Sequence, residues 1–342
     1  MSIRASRTII AGIVGILTAC SSEPTAPDLA EARSPLQDRA AVYTITVLPT
    51  LWGYSEVHAI NDAGDAVGLS QVEGFLGHPV LWRDGAVQDL GTLGGSQGGA
   101  SDVNASGRIV GSAQTATGES RAFLWSDGVM TQLPSPGVAS AANALNPAGV
   151  IVGYYSDVQF RQHALRWEGG QFSELPTLGG FESEATGIAP SGDIVGWSRL
   201  ADGLRHATLW RDGQPVDLGT LGTESFAHAI SPSGIVVGQS ADASGFTAFA
   251  WRNGDMADVG PEDADIGSDA LGVNASGTIV GRTLDADALN AFVWAHGTIT
   301  RLPRLPGSTY ARAFDVNARG DVAGYSLIGD MVGARPVIWT RR

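Results

Sequence analysis

One pattern of apolar and polar positions recurs seven times along most of this chain. It reads approximately Ile-Asn-x-x-Gly-x-Ile-Val-Gly, so an apolar residue and an amide precede a short turn and two consecutive apolar residues. The copies span residues 60–68, 103–111, 145–153, 188–196, 230–238, 273–281 and 316–324. Their last glycines are 43, 42, 43, 42, 43 and 43 residues apart. Such a fixed spacing indicates a repeat architecture.

A second sequence phrase, which ends in tryptophan, recurs once in each repeat with nearly the same spacing as the first. Its last residues are Trp82, Trp125, Trp167, Trp210, Trp251, Trp294 and Trp339. Each repeat therefore predicts four short strands, A to D, with the tryptophan ending strand C. Asp-Gly and Asn-Gly pairs after several tryptophans, as in Asp84-Gly85, predict tight C–D hairpins because these residues accept positive φ. The tryptophans recur at one strand position. This favours a role in the hydrophobic core over a role as a ladder of rings that stack on a ligand.

The apolar run in strand B predicts how the units pack. Ile109-Val110 and Ile279-Val280 are consecutive apolar residues, and strands lose polar alternation when both faces are buried. Four-stranded units of about 40–45 residues are typical of propeller blades, although a parallel β-helix is the rival fold. The last copy stops after strand C, and residues 43–48 match the missing strand D. We therefore predict an all-β, seven-bladed β-propeller over 43–342, closed by the N-terminal strand.

These phrases resemble the HAF-repeat family of bacterial extracellular proteins, named for a His-Ala-Phe tripeptide. The resemblance covers essentially all of 43–342. The tripeptide is degenerate here, as in His163-Ala164-Leu165, so the glycines and tryptophans carry the match better. The resemblance implies that the protein is exported and has a repeat fold. It therefore indicates where the protein is located and says little about its function.

The N-terminus has the pattern of an export signal. Arg4 and Arg7 precede an apolar run at 9–17, which is too short for a transmembrane helix. Leu17-Thr18-Ala19-Cys20 follows and resembles the lipobox of bacterial lipoproteins, in which the cysteine is lipidated. The alternative is an ordinary signal peptide with a chance cysteine. We expect 1–19 to be a signal peptide, 20–42 a lipidated Cys20 and tether, and the product an outer-membrane or cell-surface lipoprotein.

The net charge and the cysteine count limit the classes of partner and of cross-link that this chain can have. The net charge is −14, so nucleic acid and anionic membrane surfaces are poor partners, and membrane contact is expected through the lipid alone. A monomer is expected. The single cysteine excludes an internal disulfide framework.

Aromatic residues that break the repeat suggest a ligand-binding loop face. We predict binding there because loops on a rigid scaffold carry function and aromatic rings can grip a sugar polymer or peptide. The alternative is that they cap the blade ends. The predicted ligand-binding residues are Trp52, Tyr54, Tyr154, Tyr155, Phe181, Trp197, Arg282, Tyr310 and Tyr325.

An acidic segment suggests calcium, since oxygen ligands at alternate positions suit that ion. The residues are Asp263, Asp265, Asp269, Asp285 and Asp287, and their spacing does not match an EF-hand. A solvated acidic loop is the alternative. No other cofactor is expected.

Repeated polar residues predict structural roles. We expect the asparagine of each Ile-Asn pair to close the A–B turn with a side-chain bond. The histidines, at two repeat positions that include His58 and His78, are expected to make buried polar contacts between blades.

No catalytic motif is found in the sequence. It has no Gly-x-Ser-x-Gly, no phosphate-binding loop and no His-Glu-x-x-His. We therefore expect a non-catalytic, surface-anchored binding or scaffold protein that engages an extracellular polymer or protein. The alternatives are an extracellular hydrolase or lyase acting on polysaccharide at the central channel, and a purely structural envelope component.

Overall fold

The computed structural model describes residues 42–342, except 75, 243–244, 263, 265, 287 and 330–332. Strands dominate this part of the chain. The predicted signal peptide, Cys20 and the tether up to residue 41 lie outside the described residues. Within them, no helix has the length and apolar character needed to cross a membrane.

Twenty-eight strands are found in the described residues, and we group them into units 1 to 7 by repeat copy. The first strand, β1 (Tyr43–Val47), precedes unit 1. Unit 1 contains β2 (Ser55–Ile60), β3 (Ala66–Val72), β4 (Leu76–Arg83) and β5 (Ala86–Asp89). Unit 2 contains β6 (Gly94–Val103), β7 (Ile109–Thr115), β8 (Ser120–Ser126) and β9 (Val129–Gln132). Unit 3 contains β10 (Ala139–Leu145), β11 (Ile151–Ser156), β12 (Gln162–Glu168) and β13 (Gln171–Glu174). Unit 4 contains β14 (Gly179–Ile188), β15 (Ile194–Leu200), β16 (Arg205–Arg211) and β17 (Gln214–Asp217).

The remaining units follow the same order. Unit 5 contains β18 (Glu224–Ile230), β19 (Val236–Asp242), β20 (Gly245–Arg252) and β21 (Asp255–Asp258). Unit 6 contains β22 (Gly267–Val273), β23 (Ile279–Leu284), β24 (Leu289–Ala295) and β25 (Thr298–Arg301). Unit 7 contains β26 (Ser308–Val316), β27 (Val322–Ile328) and β28 (Ala334–Arg341).

Each unit is an antiparallel meander. Units 1 to 4 form separate four-stranded sheets in the described residues, whereas units 5 to 7 and β1 belong to one twelve-stranded sheet. That larger sheet is joined between units by parallel pairing of single residues, Phe246 with Gly267 and Leu289 with Tyr310. Strand β1 pairs antiparallel with β28, with Ile45 opposite Trp339. It therefore takes beside β28 the place that β5 takes beside β4.

The hairpin turns have the predicted conformation. Asp84 and Gly85 have φ values of 53° and 76°, and Asn253 and Gly254 have 53° and 105°. Two consecutive positive φ angles are the signature of the turn that matches strand twist, which is why Asn or Asp precedes Gly.

The strand B glycine has a steric cause. In every unit the first strand carries a β-bulge, which shifts its pairing with the second strand. At Gly68 an added Cβ would collide with the carbonyl oxygen of Glu56, and at Gly238 with that of Phe226. The close approach of the bulged backbone therefore requires glycine at this position.

Two polar links connect neighbouring units at the A–B turns and strand C. Asn61 Oδ1 accepts the backbone N–H groups of Ala63 and Asp65, so it closes its turn as predicted. Its Nδ2 also donates to Asn104 O in unit 2, and Asn317 Nδ2 in turn donates to Asn61 O. The tryptophan Nε1 donates to a proline carbonyl of the preceding connection. These pairs are Trp82 with Pro49, Trp167 with Pro134, Trp210 with Pro176, and Trp339 with Pro303, each at 2.7 Å.

The core lies between consecutive units. All seven repeat tryptophans are 9% exposed or less, which confirms that they are core residues. One apolar cluster, for example, joins Val237 and Ala250 of unit 5 to Ile279 and Trp294 of unit 6. The first strands contact one another in chain order, and β2 contacts β26 as well as β6.

Candidate functional site

Two positions of the first strand differ from unit to unit, although the strands around them repeat. The bulge position is the extra residue of each bulge, and it holds His58, Ser101, Asn143, Thr186, His228, Leu271 and Phe314. The facing pair lies further from the A–B turn and joins the first strand to the residue after the strand B glycine. These pairs are Glu56–Leu69, Gly99–Ser112, Ala141–Tyr154, Glu184–Trp197, Phe226–Gln239, Asp269–Arg282 and Arg312–Tyr325.

The bulge aims its extra side chain toward the next unit. His58 Nδ1 lies 2.8 Å from Ala100 O, and Asn143 Nδ2 donates to Ala185 O at 2.9 Å. Thr186 Oγ1 donates to Ala227 O at 2.9 Å. β-Bulges next to active sites commonly change the direction in which a side chain points. Here they bring chemically different groups of neighbouring units into contact.

In unit 1, a partly buried carboxylate has two partners. Glu56 Oε2 accepts the Tyr54 hydroxyl at 2.9 Å, and Glu56 Oε1 lies 3.1 Å from His58 Nε2. Burial raises the pKa of Glu56, but the His58 and Tyr54 contacts outweigh it and leave that pKa lowered. Burial lowers the pKa of His58, but Glu56 outweighs it and leaves that pKa raised. The pair therefore favours an ionised carboxylate and a protonated imidazole.

Unit 7 supplies an arginine among aromatic rings. The Arg312 guanidinium lies 4.4 Å from the Phe314 ring centroid. Phe314 makes an edge contact with the His58 ring at 5.4 Å and lies 6.0 Å from Tyr325. Burial and the neighbouring Arg282 lower the pKa of Arg312. Units 1 and 7 therefore share one aromatic and charged surface.

Units 5 and 6 contribute a buried aspartate. Asp269 is 5% exposed, and its Oδ1 lies 3.1 Å from His228 Nε2 while its Oδ2 lies 3.5 Å from Arg282 Nε. The His228 contact is close but poorly aligned, since neither atom completes a hydrogen bond. Burial raises the pKa of Asp269, but the charges of His228 and Arg282 outweigh it and leave it lowered.

Unit 4 contributes a second carboxyl group with the opposite behaviour. Glu184 accepts hydrogen bonds from Asn143 Nδ2 at 2.9 Å and Trp197 Nε1 at 3.2 Å, yet burial raises its pKa. Trp197 also contacts the Phe226 ring at 6.1 Å. Arg205 lies 5.5 Å from both ring centroids.

We call these three neighbouring sets of contacts together the first-strand cluster. It consists of Tyr54, Glu56, His58, Glu184, Trp197, Arg205, Phe226, His228, Asp269, Arg282, Arg312, Phe314 and Tyr325.

Unit 2 leaves an opening beside this cluster. Its facing pair is Gly99 and Ser112, and its bulge residue is Ser101, so these three positions carry little or no side chain. A cavity of about 540 Å³ lies here, and Tyr54 and His58 form part of its wall. The absence of bulk in unit 2 thus creates space next to the charged and aromatic residues.

The structure brings together four of the nine predicted ligand-binding residues. Tyr54, Trp197, Arg282 and Tyr325 belong to the first-strand cluster. Tyr154 lies opposite Ala141, and both burial and the nearby Glu184 raise its pKa, which places it beside the cluster.

The other four predicted residues lie apart from it. Tyr155 stacks on His163 at 4.8 Å beside a groove of about 450 Å³ that Phe181 also lines. Trp52 is 62% exposed, and Tyr310 is 38% exposed. Whether these residues bind a ligand stays a prediction.

The calcium prediction stays untested. Asp263, Asp265 and Asp287 lie outside the described residues. Asp269 faces His228 and Arg282, and Asp285 accepts a hydrogen bond from Asn290 Nδ2 at 2.6 Å. Over the described part of the chain, no three His, Cys, Asp or Glu side chains gather as a metal ion requires.

The histidine prediction is half right. His58 and His228 do contact the next unit, as expected. His78 instead lies 2.9 Å from Asp89 of its own unit, and His206 2.9 Å from Asp217. The expectation of inter-blade contacts was wrong at this second position because strand D of the same unit ends in an aspartate that meets the histidine.

Sequence reasoning missed most charged members of the cluster. Glu56, Glu184 and Arg312 lie within strands, whereas the sequence-based prediction placed ligand binding on loops. A signal existed: in the seven aligned repeats these residues fall at one position whose chemistry changes from copy to copy.

Comparison with known proteins identifies the fold. Neither the known protein families nor the curated protein sequences include a match. The β-propeller domain of the Trilobed protease from Pyrococcus furiosus is similar in structure, with a TM-score of 0.59, 12% identity, and coverage of 85% of this chain and 94% of that one. The acylaminoacyl peptidase of Pyrococcus horikoshii has a TM-score of 0.56 and 13% identity, covering 86% of this chain and 52% of that one. A puromycin-hydrolyzing peptidase of Mycobacterium tuberculosis has a TM-score of 0.57 and 12% identity, covering 89% and 55%.

The chain has an all-β fold of the propeller type. It spans about half the length of the two peptidases. At these identities the likeness concerns the fold alone.

Proposed function

We propose that this chain is a non-catalytic, surface-anchored binding protein built as a closed propeller of seven blades. The pairing of β1 with β28 and the hydrogen bond from Asn317 to Asn61 support closure. The single-residue bridges at Phe246 and Leu289 support a division of the large sheet into separate blades. The first strands then surround a central channel, with the first-strand cluster at one end.

One observation carries the binding function. The bulge positions and facing pairs change chemistry from unit to unit, while the asparagines, glycines and tryptophans around them repeat. Packing does not require this variety, because the same scaffold position accepts Glu56, Gly99 and Phe226. The cluster combines aromatic rings, charges and an adjoining cavity, which are the features of a ligand site. Its ligand is an extracellular polymer or protein.

Location follows from the N-terminal pattern. The lipobox-like segment before Cys20 and the resemblance to HAF-repeat proteins support an exported lipoprotein of the outer membrane or cell surface. Labelling of cells with a fatty acid tests this: the wild type should incorporate the label and Cys20→Ser should not.

Glycan and peptide arrays probed with the purified full chain test the binding function. We expect selective binding that Trp197→Ala or Tyr325→Ala weakens at least tenfold. Arg211→Gln is the matched control, because Arg211 pairs with Asp193 in the A–B turn, away from the cluster. Selective binding that both cluster variants retain at full strength would contradict the proposal.

A hydrolase or lyase is the second candidate, and one observation favours it. Glu184 has a raised pKa and Asp269 a lowered one, and the charge of His228 acts on both. Two carboxyl groups with separated pKa values suit acid and base roles. Polysaccharide turnover that Glu184→Gln abolishes would establish this candidate in place of the first.

A further inference from the structure

Arg312 is a partly buried cation that forms no ion pair within the described part of the chain, although the more distant charges of Asp269 and Glu56 act on it. Among the described residues, no carboxylate oxygen lies within 4 Å of its guanidinium, and its buried Nε has no hydrogen-bond partner. Its guanidinium carbon lies over the Phe314 ring, 4.4 Å from the ring centroid. A guanidinium that stacks on a ring keeps its edge donors available for a carboxylate.

A second arginine lies close to it. Arg282 is near enough that its charge lowers the pKa of Arg312. The side chain of Arg282 is 35% exposed, and its Nε is 3.5 Å from Asp269 Oδ2, at the limit of a hydrogen bond. Asp269 is the ion-pair partner of Arg282, at a long distance, and Arg312 has none among the described residues, so an added carboxylate could pair with Arg312 beside a second cation.

The adjoining cavity has the lining of a sugar site. Its wall includes the amide or hydroxyl side chains of Gln71, Gln97, Gln114, Ser101, Ser112 and Ser120. Such groups exchange hydrogen bonds with the hydroxyls of a saccharide. Contacts connect this cavity to Arg312: His58 in its wall contacts Phe314, on which Arg312 stacks.

We propose that the ligand is an acidic saccharide, whose carboxylate binds Arg312 beside Arg282 and whose hydroxyls occupy the cavity beside Gly99. This inference rests on the proposed binding function and names its ligand class. Tyr54, in the wall of the cavity and hydrogen-bonded to Glu56, lies at the junction between the two parts.

The test compares uronate oligosaccharides with their methyl esters, which lack the charge and carry one added methyl group on each carboxyl group. Oligomers of galacturonate, glucuronate, mannuronate and guluronate are titrated into the purified full chain by calorimetry. We expect at least one acid to bind tenfold or more tightly than its ester. The difference should shrink between 20 mM and 500 mM salt, because salt screens exposed charges.

Variants separate the two halves of the site. Arg312→Gln should reduce binding of the acid to the level of its ester and leave the ester unchanged. Gly99→Leu should weaken both at least tenfold, because a Cβ there meets only Leu69 Cδ1 at 3.7 Å and the rest would fill the cavity. Ser112→Gln fills the same space if Gly99→Leu does not fold. Arg211→Gln should change neither affinity.

Three results would overturn the inference. Equal affinity for acid and ester is one, and an unchanged preference in Arg312→Gln is another. The third is tighter binding of peptides with a free C-terminal carboxylate, which would make the ligand a protein. In the last case, or where acid and ester bind equally through the cluster, the binding function survives and only the acidic saccharide is lost. If no saccharide or peptide binds, the binding function itself fails.

Discussion

The two ends of the first strands are built on different rules. At the A–B turn, Asn61, Asn104 and Asn146 each donate to a backbone carbonyl of the next unit, so the same bond recurs. A few residues earlier on the same strands, the equivalent positions hold Glu56, Gly99 and other unlike residues. One scaffold therefore carries a uniform end, where the same bond links successive units, and a variable end, where the side chains differ from unit to unit.

The bulge makes this separation possible. It demands a glycine in strand B and leaves the bulged side chain free to vary. The glycine therefore repeats, whereas the bulged side chain differs from unit to unit and makes its own contact with the next unit, as His58 and Asn143 do.

The largest expected effect comes from that glycine. Gly238→Val should destabilise the protein by about 3 kcal/mol or more, because its Cβ would overlap the Phe226 carbonyl. Gly99→Ala is the matched control at the variable end and should cost less than about 1 kcal/mol, since its Cβ has room. Urea unfolding followed by circular dichroism measures both. Similar losses in the two variants would erase the distinction between the ends.

A smaller loss is expected at the asparagine link. Asn317→Ala removes the bond to Asn61 O and leaves the N–H groups of Arg319 and Asp321 without their acceptor, at a cost of about 2 kcal/mol. Ser101→Ala, at a bulge position, should cost about 1 kcal/mol or less, because the Ser101 hydroxyl makes no hydrogen bond to the described residues. Denaturant midpoints compare the two variants. A greater loss from Ser101→Ala would show that the variable end also supports the fold.

Two aspartates whose pKa values shift in opposite directions test the comparison through the pH dependence of stability. Burial raises the pKa of Asp102 to about 7, whereas the hydrogen bond from Arg83 lowers the pKa of Asp65 in its turn. An acid whose pKa is raised by folding binds its proton more tightly in the folded protein. The stability linked to Asp102 is therefore lost as pH rises from about 4 through about 7. Asp65 contributes above its unfolded pKa and loses that contribution as pH falls below about 4.

Thermal melts at pH 3, 5 and 8 test both signs. Asp102→Asn should shrink the fall in Tm between pH 5 and 8, and Asp65→Asn should shrink the fall between pH 5 and 3. An Asp102→Asn variant with the wild-type decrease between pH 5 and 8 would contradict the assignment.

The smallest effect on stability is expected at Arg312. Since burial and Arg282 lower its pKa, its charge is unfavourable in the folded protein. Arg312→Gln should therefore leave the free energy of unfolding within about 0.5 kcal/mol of the wild type. A loss of about 2 kcal/mol would mean that Arg312 serves the fold.

Much of the fold could be predicted because it depends on local and repeated signals. The Asp-Gly turns, the buried tryptophans and the match between residues 43–48 and a fourth strand are all readable from one chain. Strand β1 pairs with β28 as that match predicts. The site was predicted less well: Tyr54, Trp197, Arg282 and Tyr325 were found as aromatic or charged breaks in the repeat. Their strand partners Glu56, Glu184 and Arg312 were not.

The sequence by itself determined the period, the strand order within each unit and the residues that pack between units. These follow from side-chain size, turn preference and apolar patterning, which act over a few residues and recur. Only the tertiary structure decided which variable residues meet. His58 and Phe314 come from opposite ends of the chain, yet their rings lie 5.4 Å apart because β2 contacts β26 and both strands are bulged. Such a contact depends on how the units are arranged and on the direction in which each bulge points its side chain. A local sequence pattern predicts neither the arrangement nor the direction.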